Sequence, residues 1–254
     1  MRFCGSGVYE WMPALRIGTS GWHYKHWVGT FYPEKTPASK MLAFYYQRLD
    51  TVELNNTFYR LPTESALASW RDSTPRGFCF AAKGSRFLTH MKKLKDPEQA
   101  LDRFFTAIDI LQDKLGPILF QLPPHWQLDA GRLEHFLRVL PKHHRYAFEF
   151  RNETWNIQEI YSLLAAHNAG YCIFDLAGFQ SPIEVTTDLV YVRLHGPGGK
   201  YQGSYNEEAL SQWAQRIRNW QLDNRAVYVY FDNDQAGYAA HNALRLKQLL
   251  EASC

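Results

Sequence analysis

Three pairs of polar residues, spaced two positions apart, have types suited to anion binding and proton transfer. The pairs are Glu53 with Asn55, Glu149 with Arg151, and Arg193 with His195. Alternate residues of a β-strand share one face, so both members of a pair can point the same way while the apolar residue between them points away. Carboxylates, arginines and a histidine on one face could hold an anion and move a proton.

The elements that would position these pairs alternate regularly along the chain. Short apolar or alternating runs predict eight strands, at Leu15–Ser20, Thr51–Phe58, Phe78–Lys83, Ile118–Leu122, Tyr146–Arg151, Tyr171–Asp175, Leu189–His195 and Ala226–Asn233. Segments of helical period predict helices at Ala38–Arg48, Glu64–Asp72, Pro97–Lys114, Ala130–Leu140, Ile157–Asn168, Glu207–Trp220 and Ala239–Glu251. Strands joined by helical crossovers predict an α/β fold, a parallel (β/α)8 barrel of the TIM type.

One βα unit of the predicted barrel is irregular. Between Asp175 and Leu189 the chain contains Pro182 and shows no helical period. We expect a loop or a 3₁₀ turn there in place of the sixth helix. A doubly wound open sheet is the structural alternative, but no G-x-G-x-x-G follows an early strand.

Further polar residues stand at the predicted carboxyl ends of the strands, where a parallel barrel carries its functional groups. They are Lys83, Gln121, Asp175, Asp232 and Asn233. The charged members could simply neutralise one another as a salt-linked plug. Ion pairs stabilise a core poorly compared with apolar residues, which favours a functional pocket over a plug.

Three loops surround the same predicted end of the barrel. The first carries Trp22 and Tyr24, whose rings could stack on a ligand or cap the barrel. The second carries Thr89 and His90 within a basic run that includes Lys92, Lys93 and Lys95. The third, residues 196–203, is rich in glycine and contains Tyr201. It could be a lid, bind phosphate through its backbone, or be a plain surface loop.

Composition and charge narrow the classes of function. Lys plus Arg is 28 and Asp plus Glu is 25, a net charge of +3 that does not favour a nucleic-acid partner. No run of eighteen apolar residues exists, so no membrane association is expected. Four scattered cysteines predict a reduced, cytoplasmic protein, with Cys79 and Cys172 buried.

We expect residues 1–14 to be a dispensable extension, with translation beginning at Met1 or Met12, and residues 15–254 to form one barrel domain.

Several ordered motifs resemble one known family. They are G-T-S-G-W-H-Y-x-x-W-x-G-x-F-Y-P at 18–33, V-E-L-N-N-T-F-Y-R-L-P at 52–62, Thr89-His90, Q-L-P-P at 121–124, E-F-R at 149–151 with Trp155, Y-V-R-L-H-G at 191–196 and F-D-N-D at 231–234. The chain resembles the YecE-like family from about Leu15 to Leu250. The resemblance implies a TIM barrel and no activity, since none is established for that family. Asp232 departs from the family pattern, which usually has Asn there.

The first functional hypothesis is an enzyme that acts on a phosphorylated or carboxylated small molecule. It would be either a hydrolase or an isomerase/lyase. Glu53 or Glu149 would be the general base and His195 the general acid. The expected substrate-binding residues are Trp22, Tyr24, Asn55, Lys83, Thr89, His90, Gln121, Arg151, Arg193, Tyr201 and Asn233. No cofactor is predicted for this hypothesis.

Other classes stay open. A metal-dependent phosphodiesterase or endonuclease-like hydrolase, or a sugar isomerase, would hold a divalent metal with some of Glu53, Glu149, Asp175, His195 and Asp232. The cations among these ligands count against it. A glycosidase ranks lower because strands four and seven end in Gln121 and His195 instead of acids. The last alternative is a non-catalytic protein that binds nucleic acid or a metabolite. The sequence predicts no oligomeric state.

Overall fold

Eight parallel strands form a closed barrel in the computed structural model of the chain, which describes residues 14–252. The barrel strands are β1 Leu15–Ser20, β2 Thr51–Leu54, β3 Cys79–Lys83, β4 Leu115–Leu122, β5 Tyr146–Phe150, β6 Ala169–Leu176, β8 Leu189–Leu194 and β9 Ala226–Phe231. The ninth strand, β7 Phe179–Gln180, is a short antiparallel addition to β6. Around the barrel the strands follow the order β5-β4-β3-β2-β1-β9-β8-β6, and β6 pairs with β5 to close it. The TIM-type barrel predicted from the sequence is confirmed.

The helices lie outside the barrel and cover it with their apolar faces. They are α1 Ala38–Tyr46, α2 Asn56–Tyr59, α3 Glu64–Ser73, α4 Glu98–Ile108, α5 Ala130–Val139, α6 Gln158–Ala166, α7 Glu207–Leu222 and α8 Tyr238–Glu251. Shorter turns are the 3₁₀ segments Lys25–Trp27, Asp109–Lys114, Glu153–Trp155 and Gln235–Gly237 and the π-helical segment Phe87–Met91. Side-chain oxygens of Thr63, Asp129 and Asn206 accept backbone N–H bonds that cap α3, α5 and α7.

The alternation of each strand divides its residues between two environments. Outward residues such as Phe80 and Phe120 pack against the helices in the large hydrophobic core. Inward residues form a second apolar cluster inside the barrel, which includes Ala81, Leu119 and Tyr191. Toward the carboxyl ends of the strands the inward positions become polar and charged. The fold therefore places at that end the side chains that can bind a ligand or transfer a proton.

The sixth βα unit lacks a helix. Strand β6 turns back at Ala177 and Gly178 into β7, Phe179–Gln180, which pairs antiparallel with it. Both turn residues have positive φ, 52° and 82°, as a two-residue hairpin of this kind requires. The irregular unit expected from the sequence is confirmed, with a short hairpin followed by a loop in place of a helix.

Two predicted elements end at least four residues earlier than expected. The strand predicted over Thr51–Phe58 stops at Leu54, and helix α2 follows it. The Thr57 hydroxyl lies 2.7 Å from the carbonyl oxygens of Leu54 and Lys83, which ties the start of this helix to the ends of two strands. The helix predicted over Pro97–Lys114 is α-helical only to Ile108 and then tightens to a 3₁₀ turn.

Predictions for the termini fall largely outside the described residues. Residues 1–13 of the predicted extension, together with Cys4 and Cys254, are not part of residues 14–252. Cys79 and Cys172 are buried free thiols, as expected. Among the described helices, none combines the length and the apolar character needed to cross a bilayer.

Candidate functional site

Arg193, on β8, is the centre of the charged network and is fully buried. Its Nη2 and Nε donate to Oε1 and Oε2 of Glu53 at 2.7 and 3.0 Å. Its Nη1 donates to Glu149 Oε2 at 2.9 Å, and Nη2 reaches Asp232 Oδ2 at 3.1 Å. One guanidinium therefore joins carboxylates from β2, β5 and the end of β9.

Glu53 uses all its acceptor capacity within the protein. Besides the two bonds from Arg193, Oε1 accepts from the Ser20 hydroxyl and Oε2 from the Tyr191 hydroxyl, both at 2.6 Å. A carboxylate offers about four acceptor sites, and four donors fill them. Glu53 is placed as an anchor of the network, and it could act as the expected general base only by breaking one of these bonds.

His195 and Asp232 form a hydrogen-bonded pair beside Arg193. His195 Nδ1 lies 3.0 Å from Asp232 Oδ2, and His195 Nε2 lies 2.7 Å from Arg151 Nη2 and 3.3 Å from Arg193 Nη1. Because arginine can only donate, Nε2 is an acceptor and the proton sits on Nδ1, which donates to Asp232. Burial raises the pKa of Asp232, but Arg193 and His195 outweigh it and leave that pKa below its usual value.

Arg151 connects this network to the open space above it. Its Nε contacts Glu149 Oε1, and its guanidinium carbon lies 4.5 Å from the ring centre of Phe174. Burial raises the pKa of Glu149, yet Arg151 and Arg193 hold it well below the usual range. Among residues 14–252, no acceptor engages Arg151 Nη1.

Arg151 also lines a pocket of about 390 Å³ at the carboxyl ends of the strands. The other lining residues are Gln121, Pro124, Glu153, Phe174, Leu176, Phe179, Lys200 and Tyr201. A larger open depression of about 590 Å³ lies beside it around His125 and Trp126. That depression includes no member of the charged network, so the smaller pocket is the better candidate for ligand binding.

Lys83, at the end of β3, is a second cation with unused donors. The residue is only 8% exposed, and its Nζ makes no hydrogen bond or ion pair within the described part of the chain. Nζ lies 4.4 Å from the ring centre of Phe58. Burial, with the positive charge of Arg193, lowers the pKa of Lys83 to about 8.

Four expected binding residues lie near Lys83 and the adjoining strand ends. The His90 ring lies 5.1 Å from Phe58, and its Nδ1 is 2.9 Å from the hydroxyl of buried Thr89. Burial and the charge of Lys83 lower the pKa of His90 to about 4, so it is neutral at physiological pH. The buried side-chain oxygen of Asn55 has no hydrogen-bond partner among the described residues. Gln121 stands beside Glu149 in the β4–β5 register.

The two aromatic residues expected to stack on a ligand have other contacts. The Trp22 ring packs edge-on against Trp70 at 5.1 Å and belongs to the core between barrel and helices. The Tyr24 hydroxyl donates to the Ser20 carbonyl at 2.5 Å, and its ring lies 4.7 Å from Trp27. Trp22 is thus directed away from the charged network, whereas Tyr24 ties its loop to the end of β1.

The loop after β8 folds over the pair of His195 and Asp232. Tyr201 N donates to the His195 carbonyl at 2.8 Å, and the two rings are 5.6 Å apart. Asn233 Nδ2 donates to the Gly203 carbonyl at 2.8 Å and to Asn242 Oδ1 at 2.9 Å. Asn233 therefore fastens this loop, while its buried Oδ1 has no partner within residues 14–252.

The residues expected to hold a metal do not come together as a ligand set. Glu53, Glu149 and Asp232 already accept bonds from Arg193. Asp175 lies apart from them, and burial raises its pKa. Within the described chain, three ligand atoms converge to within 4.8 Å only at Asp109, His143 and His144, next to the amino ends of β4 and β5.

Sequence reasoning missed several contributors to the network. Tyr191 and Ser20 donate to Glu53, and Phe58 supports Lys83. The signal for Tyr191 was present, because it lies two residues before Arg193 on the same strand face. The sequence predicts a strand through Phe58, whereas Phe58 lies in helix α2, and its contact with Lys83 depends on that position.

The sequence of this chain is similar to a family profile and to proteins of two bacteria. A profile of the family described as protein of unknown function DUF72 matches residues 16–254. The UPF0759 protein YunF of Bacillus subtilis is 26% identical over 274 residues, spanning 93% of this chain and 95% of YunF. The UPF0759 protein YecE of Escherichia coli K12 is 28% identical over 139 residues, which cover 54% of this chain and 48% of YecE.

Solved structures of two DUF72 family proteins are similar to the structure of this chain. A DUF72 family protein, TM1631 of Thermotoga maritima, superimposes with a TM-score of 0.86 at 29% identity, covering 94% of this chain and 99% of that protein. A second, EF0366 of Enterococcus faecalis, has a TM-score of 0.77 at 20% identity, covering 93% of this chain and 95% of that one. These comparisons carry the fold and no activity.

Proposed function

The chain belongs to the DUF72 family of proteins of unknown function, and on that premise we propose that it is an enzyme acting on a small anionic molecule. The ligand carries a carboxylate or phosphate group and binds at the carboxyl ends of the barrel strands. Its anionic group lies against Arg151, and its reacting atoms face His195.

The observation that carries this proposal is the free side of Arg151. Its Nε and Nη2 are held by Glu149 and His195, whereas Nη1 has no acceptor among the described residues and the side chain borders the pocket. A guanidinium with unused donors at the wall of a pocket favours an oxyanion, since arginine binds carboxylates and phosphates through paired N–H bonds. Lys200 lines the same pocket and adds positive charge.

The chemistry follows from the state of His195. Its Nδ1–H is fixed by Asp232, which leaves the Nε2 lone pair as the proton acceptor. Arg151 donates to that lone pair at 2.7 Å. When the ligand anion takes over the Arg151 donors, Nε2 is free to accept a proton from the ligand, and Asp232 stabilises the imidazolium that forms. His195 then returns the proton as general acid.

Binding of simple and metabolite-sized anions tests the proposal. We expect isothermal titration to detect binding of inorganic phosphate or of a member of a panel of phosphorylated and carboxylated metabolites. Arg151→Gln should weaken that binding at least about tenfold, because one charge-assisted contact contributes about 1.5–3 kcal/mol.

The matched control is Arg103→Gln, an exposed arginine on α4. It should bind as the unaltered protein does. Equal binding by the Arg151 and Arg103 variants, or no binding of any anion tested, would contradict the proposed function.

A further inference from the structure

We propose that Lys83 forms an imine with a carbonyl carbon of the bound ligand, which makes the substrate class anionic carbonyl compounds. Such compounds are 2-oxo acids, or aldehydes and ketones that carry a phosphate. The inference rests on the proposed function, because Arg151 supplies the recognition of the anionic group.

The first argument is that Lys83 lacks the partners that every neighbouring buried cation has. Arg193 contacts three carboxylates and Arg151 contacts Glu149. A lysine present only to balance charge would contact one of those carboxylates. Lys83 makes no ion pair or hydrogen bond through Nζ within residues 14–252, although it is only 8% exposed. Its nitrogen is left available for a ligand.

The second argument is the immediate surroundings of the amine. Nζ faces the ring of Phe58 at 4.4 Å, and Lys83 pairs in the β3–β4 register with Leu119. The contact with the Phe58 ring favours the ammonium, but burial of Lys83 and the charge of Arg193 outweigh it and favour the neutral amine, which is the nucleophilic form. With its pKa lowered to about 8, Lys83 is roughly half neutral at pH 8. Exposed lysines are almost entirely charged there.

The third argument is the position of Lys83 relative to Arg151. The two residues extend from β3 and from the end of β5, and Gln121 on β4 stands between them. Neighbouring strands are about 4.8 Å apart, so the two strand ends are on the order of 10 Å apart. A short carbon chain with a carbonyl at one end and an anionic group at the other matches that separation once both side chains reach inward.

The imine step balances without any further reactant. The Nζ lone pair of neutral Lys83 forms a bond to the carbonyl carbon, and the carbonyl π electrons move to oxygen. That oxygen takes one proton from nitrogen to give a carbinolamine. The C–O bond then breaks, the oxygen leaves as water with the second proton from nitrogen, and a C=N bond remains.

Reductive trapping tests the assignment. The full chain would be incubated near pH 7.5 with glyoxylate, pyruvate or dihydroxyacetone phosphate together with cyanoborohydride, and the modified peptides would be identified by mass spectrometry. We expect reduction to leave a secondary amine on Lys83 at a rate on the order of a hundredfold above that on exposed lysines, because the two pKa values differ so much. Lys83→Arg should abolish the rapid phase. Lys92→Arg, an exposed lysine after the same strand, should retain it.

The outcomes separate this inference from the proposed function. If phosphate binds in an Arg151-dependent way but Lys83 is labelled no faster than Lys92, the imine is overturned and the anion site stands. If Lys83 is labelled rapidly and equally by glyoxylate and by uncharged acetaldehyde, and Arg151→Gln changes neither rate, the anionic substrate class and the proposed function are overturned. Rapid labelling of Lys83 by the anionic probes that slows in Arg151→Gln supports both.

Discussion

Replacing Lys83 by methionine should make the protein more stable at neutral pH. The ammonium is nearly buried and gains no ion pair, so the folded protein keeps a charge in surroundings that solvate it poorly. Methionine has a similar length, carries no charge and can pack against the Phe58 ring through its sulfur. Removing the charge removes the cost of burying it.

The size of the effect follows from the pKa of this lysine. The pKa falls from 10.5 to about 8 on folding, a difference of about 2.5. At about 1.4 kcal/mol for each tenfold change, the charged lysine costs about 3 kcal/mol of unfolding free energy at pH 7. Because the folded-state pKa is lowered, the cost is complete below pH 8. It disappears as the pH rises from about 8 to 10.5, where the unfolded chain also loses its proton.

Urea unfolding of the unaltered protein and Lys83→Met at several pH values between 7 and 10.5 measures this. The variant should be more stable by about 3 kcal/mol at pH 7, and the gap should narrow steadily above pH 8. Lys92→Met is the matched control, since Lys92 is exposed and also lies near a phenylalanine ring, at 5.9 Å. It should change stability by less than about 0.5 kcal/mol. A destabilised Lys83→Met, or a gap independent of pH, would refute the reasoning.

Two further predictions concern the charged network. Arg193→Met should reduce the unfolding free energy by about 3–5 kcal/mol because it leaves buried carboxylates without a cation. The control Arg145→Met, which removes a surface ion pair, should reduce it by less than about 1 kcal/mol. Similar losses for the two variants in urea unfolding would argue against the stabilising role of the network. The pKa values of Glu149 and Asp232 are lowered in the folded protein, so their stabilisation is present above about pH 4 and should be lost as the pH falls further. Chemical denaturation between pH 6 and 2 measures that loss, and a flat profile would contradict it.

The barrel and the face on which its polar residues lie were predictable from the sequence. The alternation of residues along a strand predicts that Glu53, Glu149 and Arg193 point inward, because each lies between two apolar residues that point outward. The number of strands followed from the alternation of apolar runs and helical periods. Residue alternation and hydrophobic period are local properties, so they can be determined from the sequence alone.

The partners across the barrel were not predictable in the same way. The four donors to Glu53 come from residues 33 to 140 positions away. Their meeting depends on the tilt and stagger of the strands, which no single strand encodes. Trp22 shows a second limit, because a loop residue has no periodicity to show which way its ring points. The contact between the rings of Tyr201 and His195 is a third feature that the sequence does not predict, because it depends on the conformation of the loop after β8.

The central arginine also bears on how the chain folds. Glu53 and Ser20 belong to the first half of the barrel, whereas Arg193, Glu149 and Asp232 belong to the second. The first half by itself would leave buried Glu53 without its cation, and the second would leave Arg193 without one of its three carboxylates. An unpaired buried charge is strongly destabilising. Closure of the barrel and formation of the network are therefore one cooperative event. Neither half-barrel is expected to be a stable folding unit, so fragments divided after β4 should become structured only when they are mixed.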